Sequence, residues 1–305
     1  MNRRTIRRQA LLALASASLL MTLLPPAEAA APAVHQMNVN GAPMTYVDAG
    51  RGTPVVFVPA ALGDYRTWDS QRAGLAGHFR TVAVSQRYFG TRPWRKDWPA
   101  FGAQTHADDL VAFLRQLKAG PVHLVGWSYS GPVVLLVAMS HPELVKSAFV
   151  YEPGLAGTVS DEAAQKALGD DAAAAFGATA EAAKTGKAAD AARLLLDGVA
   201  DRQGVLATWP PAVQRVVLDN ARTVAPMLTA AAPPALGCAS LGAIKPPVAI
   251  VSGEKSRPFF HLADEAAAKC MPQAEHIVAS GGDHLWPGES PRAFSDTLLA
   301  FIRRH

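Results

Sequence analysis

A serine at a sharp turn between two apolar segments limits the folds open to this chain. The turn is Gly126-Trp127-Ser128-Tyr129-Ser130-Gly131, between a strand-like run at 121–126 and a helix-like run at 132–139. A serine held in the strained conformation of such a turn needs small residues two positions away, and Gly126 and Ser130 are small. The pattern therefore predicts that the Ser128 hydroxyl projects above the end of a sheet.

Short apolar runs alternate with helical segments along the rest of the chain, which is typical of a mostly parallel sheet flanked by helices. Strands are predicted at 54–59, 81–85, 121–126, 148–151, 248–252 and 277–279, and helices at 106–117, 132–139 and 291–303. We expect His106 to begin a surface helix. The fold class is therefore α/β.

One long segment interrupts this alternation. Residues 154–241 are rich in alanine, have helical patterning and contain no strand-like run. The segment falls between two consecutive predicted strands, so we interpret it as a helical cap inserted over one end of the sheet. The core of the domain then comprises residues 30–153 and 242–305.

The first 29 residues have the composition of a secretory signal peptide. Four arginines precede an apolar run at 10–24, and Ala27-Glu28-Ala29 resembles a cleavage site. The apolar run is short for a membrane span, so no span is expected in the mature chain. Export to the periplasm or the medium is predicted, by either the Sec or the twin-arginine route.

Removal of residues 1–29 changes two other inferences. The formal net charge falls from +4 to +1, so nothing in the charge favours nucleic acid as a partner. An oxidising compartment also favours a disulfide between Cys238 and Cys270, with two buried thiols as the alternative.

Three motifs together resemble the α/β-hydrolase family, and the resemblance extends over residues 45–303. They are the turn at 126–131, the stretch His-Pro-Glu-Leu-Val at 141–145, and Gly281-Gly282-Asp283-His284 near the C-terminus. The resemblance implies an α/β-hydrolase fold. It also implies that Ser128 is a nucleophile and that His284 is its general base.

The acid that orients the histidine departs from the commonest pattern of the family. Many members carry an aspartate in the loop after the strand at 248–252, and this chain has Ser256 at that position. The other family position, after the strand at 148–151, holds Glu152. We favour Glu152 as the acid, and Glu254 is the alternative.

Two backbone amides are expected to bind an oxyanion, those of Tyr129 and Ala61. The loop containing Ala61 lacks the His-Gly pair that is frequent in the family, but a backbone donor needs no particular side chain. Trp286 and Tyr65 are candidates for the wall of a substrate pocket.

These residues favour hydrolysis of a small or medium carboxylic ester through an acyl-enzyme. Lactonase, carbon–carbon hydrolase and cofactor-free haloperoxidase activities remain alternatives, as does an inactive binding protein on the same scaffold. Serine at 128 argues against the dehalogenases and epoxide hydrolases of this fold, whose nucleophile is aspartate. No sequence motif indicates a metal or a nucleotide cofactor, and the oligomeric state is not indicated.

Overall fold

The structure is a computed structural model that describes residues 33–231 and 236–305. The predicted signal peptide, residues 1–29, lies outside the described residues. No helix within the described ranges is both long and apolar enough to cross a membrane.

A single sheet dominates the part of the chain that the structure describes, and eight strands form it. The strands are β1 (Val34–Val39), β2 (Ala42–Ala49), β3 (Pro54–Val58), β4 (Arg80–Val84), β5 (Val122–Trp127), β6 (Val145–Tyr151), β7 (Val248–Gly253) and β8 (Glu275–Ala279). Their order across the sheet is β1-β2-β4-β3-β5-β6-β7-β8. Strands β3 to β8 pair in parallel, whereas β1 and β2 pair antiparallel. The predicted mostly parallel sheet is confirmed.

Strands β1 and β2 are absent from the sequence-based prediction. In β1 only Val39 is fully buried, and most of the other side chains are exposed. Strand β3, by contrast, is buried at every position, which explains its continuous apolar run. Strand β1, which lies at the edge of the sheet with most of its side chains exposed, has no such continuous apolar run.

Twelve α-helices accompany this sheet in the described residues. They are α1 (Asp69–Leu75), α2 (Ala103–Leu117), α3 (Ser130–Ser140), α4 (Glu162–Lys184), α5 (Ala188–Ala200), α6 (Val205–Thr208), α7 (Pro211–Asp219), α8 (Val224–Thr229), α9 (Cys238–Gly242), α10 (Pro258–Cys270), α11 (Trp286–Glu289) and α12 (Pro291–Ile302). Helices α4 to α8 lie between β6 and β7, within the segment at 154–241 that we call the cap.

Alternate residues of the central strands enter two different apolar cores. Phe57 and Phe149 face a cluster that contains Phe294 of α12. Val56 and Val150, their neighbours in sequence, face a second cluster with the side chains of α2 and α3. This alternation is the period-two geometry of a strand, and it fixes the sheet between two helical layers.

The exit of the cap is tied to the core by a disulfide. Cys238, the first residue of α9, is bonded to Cys270, the last residue of α10, with an Sγ–Sγ distance of 2.01 Å. The predicted pairing of the two cysteines is therefore present in the structure. A cross-link over 32 residues is worth roughly 4 kcal/mol in the chain-entropy description of disulfides.

Candidate active site

Ser128 lies at the turn between β5 and α3, in a strained backbone conformation. Its φ is +54°, in the left-handed region that non-glycine residues seldom adopt. The Ser128 amide donates to the carbonyl oxygen of Tyr151 at 2.9 Å, and its own carbonyl accepts from Gly131 at 2.8 Å. Glycine at position 126 relieves this turn of a tight contact, because a Cβ there would lie only 3.0 Å from the carbonyl oxygen of Ser130.

Ser130 does more than supply a small side chain to this turn. Its Oγ accepts from the Trp127 amide at 2.9 Å and donates to the carbonyl oxygen of Val58 at 2.8 Å. The turn is thereby bonded to the end of β3. A second glycine at 130 would lack this link, so the departure from the common glycine pattern has a structural reason.

The imidazole of His284 lies between the hydroxyl of Ser128 and the carboxylate of Glu152. Nε2 is 3.0 Å from Ser128 Oγ, and Nδ1 is 2.6 Å from Glu152 Oε2. Because an ionised carboxylate can only accept, Nδ1 carries the proton in the neutral ring and Nε2 is left to accept from the serine. The three side chains form one continuous hydrogen-bonded chain.

Two further residues, which the sequence analysis did not assign, hold the histidine. The ring of Phe260 stacks on the imidazole, with centroids 3.9 Å apart and planes inclined by 11°. Trp127 Nε1 donates to the backbone carbonyl of His284 at 2.9 Å. Both contacts join residues distant in sequence, and no local pattern indicates them.

Glu152 follows β6 and is completely buried. Its Oε1 accepts from the Gly253 amide at 2.7 Å and from the hydroxyl of Ser256. Position 253 must be glycine, because a Cβ there would lie 2.6 Å from both Ser256 Oγ and Tyr151 Oη. Ser256, which occupies the position of the usual family acid, is therefore a hydrogen-bond donor to the carboxylate on the neighbouring strand.

Glu254, the alternative acid, lies elsewhere. Its carboxylate accepts from Ser280 Oγ at 3.0 Å and from the Gly281 amide at 2.7 Å. The hydrogen bond from Gly281 is the main reason that the pKa of Glu254 falls below its usual value. This carboxylate braces the exposed start of the loop that carries His284, whereas Glu152 contacts the ring itself.

A second buried carboxyl lies behind Glu152 and was not singled out from the sequence. Asp264 of α10 is fully buried, and it accepts from Ser252 Oγ at 2.9 Å. Burial raises the pKa of Asp264 well above its ordinary value, and the charge of Glu152 adds to that shift. Burial therefore favours the neutral form of the Asp264 carboxyl.

The two amides expected to bind an oxyanion follow the ends of two paired parallel strands, β3 and β5. Ala61 lies in the turn after β3, next to Leu62, whose φ is +62°. Tyr129 precedes the first residue of α3. Within residues 33–231 and 236–305 neither amide donates a hydrogen bond to another group of the protein. Both donors are thus open to an acceptor on a ligand.

The side chain of Tyr129 points to His106 in the interior, which corrects the expectation that His106 begins a surface helix. His106 is only 1% exposed, and α2 begins at Ala103. Its Nε2 donates to the Arg87 carbonyl at 3.1 Å, so its Nδ1 accepts from the Tyr129 hydroxyl at 2.7 Å. Burial lowers the pKa of His106 to about 3, and a neutral ring is what these two bonds require.

The two candidates for the pocket wall lie in different surroundings. Trp286 is 6% exposed, and its ring packs against Tyr151 at 5.4 Å, so its contacts are those of a packing residue behind the histidine loop. Tyr65 is half-buried and lines a cleft of about 270 Å³ together with Phe89 and Trp94. No group of three or more metal-binding side chains occurs in the described ranges.

The sequence model of the alpha/beta hydrolase family matches residues 55–297 of this chain. The match begins in β3 and ends in α12, and it includes Ser128, Glu152 and His284. The chain belongs to the alpha/beta hydrolase family.

Curated relatives match a smaller part of the chain. The serine hydrolase BPHL of Homo sapiens is 32% identical over 128 residues, which are 41% of this chain and 43% of that protein. A soluble epoxide hydrolase of a Corynebacterium species is 29% identical over 123 residues, 40% of this chain and 42% of that protein. The chain thus spans less than half the length of these relatives.

Solved structures share the fold over nearly the whole chain. A thermophilic esterase from Thermogutta terrifontis has a TM-score of 0.67 at 18% identity and covers 89% of this chain and 98% of its own. An enol-lactonase from Burkholderia xenovorans has a TM-score of 0.68 at 17% identity, covering 88% and 100%. A bromoperoxidase from Bacillus anthracis has a TM-score of 0.70 at 19% identity, covering 89% and 100%.

Proposed function

We propose that this protein is a serine hydrolase that cleaves small or medium carboxylic esters through an acyl-enzyme. The observation that carries the proposal is the hydrogen-bonded chain from Ser128 Oγ through His284 to Glu152, with distances of 3.0 and 2.6 Å. The free amides of Ala61 and Tyr129 support it.

In the first step Ser128 Oγ attacks the ester carbonyl while His284 Nε2 takes the serine proton. Glu152, which is fully buried, stabilises the imidazolium through Nδ1. The amides of Ala61 and Tyr129 bind the oxyanion of the tetrahedral intermediate. The imidazolium then protonates the leaving alcohol, and a water molecule activated by the same ring hydrolyses the acyl-enzyme.

The choice of an ester follows from the nucleophile and from its open amide donors. A serine hydroxyl with a neutral histidine beside it is suited to acyl transfer, in which charge develops on a carbonyl oxygen. A lactone is a cyclic ester and requires the same groups, so lactones belong to the substrates to be tested. Carbon–carbon hydrolysis, cofactor-free haloperoxidase activity and binding without turnover remain the alternatives.

We also propose that the protein is exported, with residues 1–29 removed. The composition of that segment supports export, and so does the bond between Cys238 and Cys270, because disulfides persist in oxidising compartments. The N-terminal sequence of the protein recovered from a periplasmic fraction tests this point, and cleavage after Ala29 is the expected result.

The mature protein should hydrolyse p-nitrophenyl acetate and butyrate. Ser128→Ala should lower kcat by roughly 10⁴-fold or more, and Glu152→Gln by roughly 10²- to 10⁴-fold, because the variant loses the charge that stabilises the imidazolium. Glu254→Gln is the matched control and should leave kcat within about twofold, since Glu254 does not contact His284.

Steady-state kinetics on the four proteins distinguishes the alternatives. An inactive wild type, or a Ser128→Ala variant as active as the wild type, contradicts the proposal and favours the binding-protein alternative. A larger loss in Glu254→Gln than in Glu152→Gln assigns the acid to position 254.

A further inference from the structure

A buried asparagine of the cap joins two loops of the core. Asn220 follows α7 and has no exposed surface. Its Nδ2 donates to Asp64 Oδ2 at 3.0 Å and to the Val216 carbonyl at 2.8 Å, and its Oδ1 accepts from the Gly90 amide at 2.5 Å. Both donors and the acceptor of this amide are used, so its orientation is determined by three partners.

Asp64 is the last residue of the segment at 59–64, which we call the Ala61 loop. Its carboxylate is buried and accepts from the backbone amide of Arg66 at 3.0 Å, capping the turn that follows. The guanidinium of Arg66 binds the same carboxylate at 2.9 and 2.6 Å and reaches Asp219 of the cap at 2.8 Å. Adjacent cap residues, Asp219 and Asn220, therefore both hold this end of the Ala61 loop.

The other end of the Ala61 loop is held by the core alone. Gln86 Nε2 donates to the Pro59 carbonyl at 3.1 Å. Between the two ends the backbone has little freedom, because Leu62 has a φ of +62° and a Cβ at position 63 would lie 2.5 Å from Thr67 Oγ1. The direction of the Ala61 amide thus depends on where Asp64 is held.

We propose that Asn220 is a positioning residue for the oxyanion site, acting through Asp64 on the Ala61 amide. The cap then does more than enclose a substrate: its docking completes the pair of donors beside Ser128. This inference rests on the proposed function, since it assigns an oxyanion role to Ala61. It predicts that a change in the cap, remote from the triad, affects the transition state more than substrate binding.

Asn220→Asp tests the proposal, because it has nearly the same shape but replaces the donor with a second carboxylate facing Asp64. We expect kcat for p-nitrophenyl butyrate to fall about 10- to 100-fold, somewhat less than the loss caused by removing an oxyanion donor outright, with KM within about threefold of the wild type. Affinity for an alkyl trifluoromethyl ketone, whose serine adduct carries an oxyanion, should fall by the same factor as kcat/KM.

The double variant Asp64→Asn with Asn220→Asp removes the repulsion between two carboxylates, although Arg66 loses its carboxylate partner at position 64. It should recover part of the kcat lost in Asn220→Asp, at least about threefold, which a role in cap volume or stability alone does not predict. Asn220→Ala, which removes the donor without adding charge, provides a second variant and should lose kcat in the same direction. Arg193→Ala removes an exposed ion pair of the cap with Asp190 and should change neither constant.

Labelling of Ser128 by a fluorophosphonate separates the two hypotheses. A wild type that is neither labelled nor active overturns the proposed function. A wild type that is labelled and active, with Asn220 variants that keep kcat and trifluoromethyl ketone affinity, overturns the role of Asn220 alone. A rise in KM as large as the fall in kcat, without rescue in the double variant, also overturns the role of Asn220.

Discussion

At the scale of single residues, the contacts of His284 suit the charged ring that the proposed mechanism requires. One edge of the imidazole contacts Glu152, and one face lies on Phe260 at 3.9 Å. An aromatic face attracts a cation, typically by about 0.5–2 kcal/mol according to its desolvation. Phe260 is 3% exposed, so the contact is largely shielded from water. We infer that Phe260 both aligns the ring and stabilises the imidazolium formed during acyl transfer.

Replacement of this aromatic ring should affect turnover. Phe260→Leu keeps an apolar side chain but removes the aromatic face, and we expect kcat/KM for p-nitrophenyl butyrate to fall about 3- to 20-fold. Phe260→Tyr retains the face and should remain within about threefold of the wild type. Steady-state kinetics on both variants checks the expectation, and equal activity in the leucine variant would argue that the ring only fills space.

At the scale of elements, the cap is held together by a close crossing of its two longest helices. In α5, a Cβ at Gly198 would lie 1.9 Å from the Ala175 carbonyl of α4. Arg257, in the loop after β7, binds Asp171 of α4 and also donates to the Gly198 carbonyl at 3.0 Å. The small residues of α4 and α5 therefore permit an approach that larger side chains would prevent.

The same substitution at two glycines of the cap should have opposite effects on stability. Gly198→Ala should lower the free energy of unfolding by about 1–3 kcal/mol, because the helices must separate to admit the methyl group. Gly177→Ala in α4 meets no atom within 4 Å and should raise it by about 0.5–1 kcal/mol through helix propensity. Urea denaturation followed by circular dichroism measures both values, and a tolerated alanine at 198 would contradict this packing.

At the scale of the whole molecule, two buried histidines link folding to pH. Burial lowers the pKa of His106 to about 3 and that of His123 to about 4. An unfolded histidine binds its proton near pH 6.5, so between pH 6.5 and these values the unfolded chain holds more protons than the folded one. Their contribution to stability is complete above pH 6.5 and is lost as the pH falls. Asp264, whose pKa is raised, acts in the opposite sense and favours the folded state at low pH.

The free energy of unfolding should therefore decrease between pH 6.5 and 5, with each buried histidine contributing up to about 1.4 kcal/mol per pH unit. His123→Gln keeps a hydrogen-bonding partner for Ser147, which lies 2.7 Å from Nδ1, and should reduce the slope. His78→Gln, at an exposed position, is the control and should leave the slope unchanged. Urea titrations at pH 6.5, 5.75 and 5.0 give the slopes, and identical slopes in all three proteins would be inconsistent with a neutral buried His123.

Much of the core could be predicted because its signals are local. The apolar runs of β3 and β5, the small residues around Ser128 and the glycines before His284 each lie within a few positions of one another. Steric demands at a strand-to-helix turn act over the same short distance. The residues around Ser128 therefore predict the turn without knowledge of the rest of the chain. The disulfide needed only the inference of an oxidising compartment and a count of two cysteines.

The remaining features depend on which segments the sheet order brings together. Strand β7 lies beside β6, so the Gly253 amide and Ser256 surround the carboxylate of Glu152, while Glu254 turns toward the loop after β8. Glu152 and Glu254 carry the same carboxylate, and only the order of the strands determines which of them contacts His284. The stack of Phe260 on His284 and the bond of Asn220 to Asp64 arise in the same way, because 24 and 156 positions separate the partners along the chain and packing alone makes them neighbours.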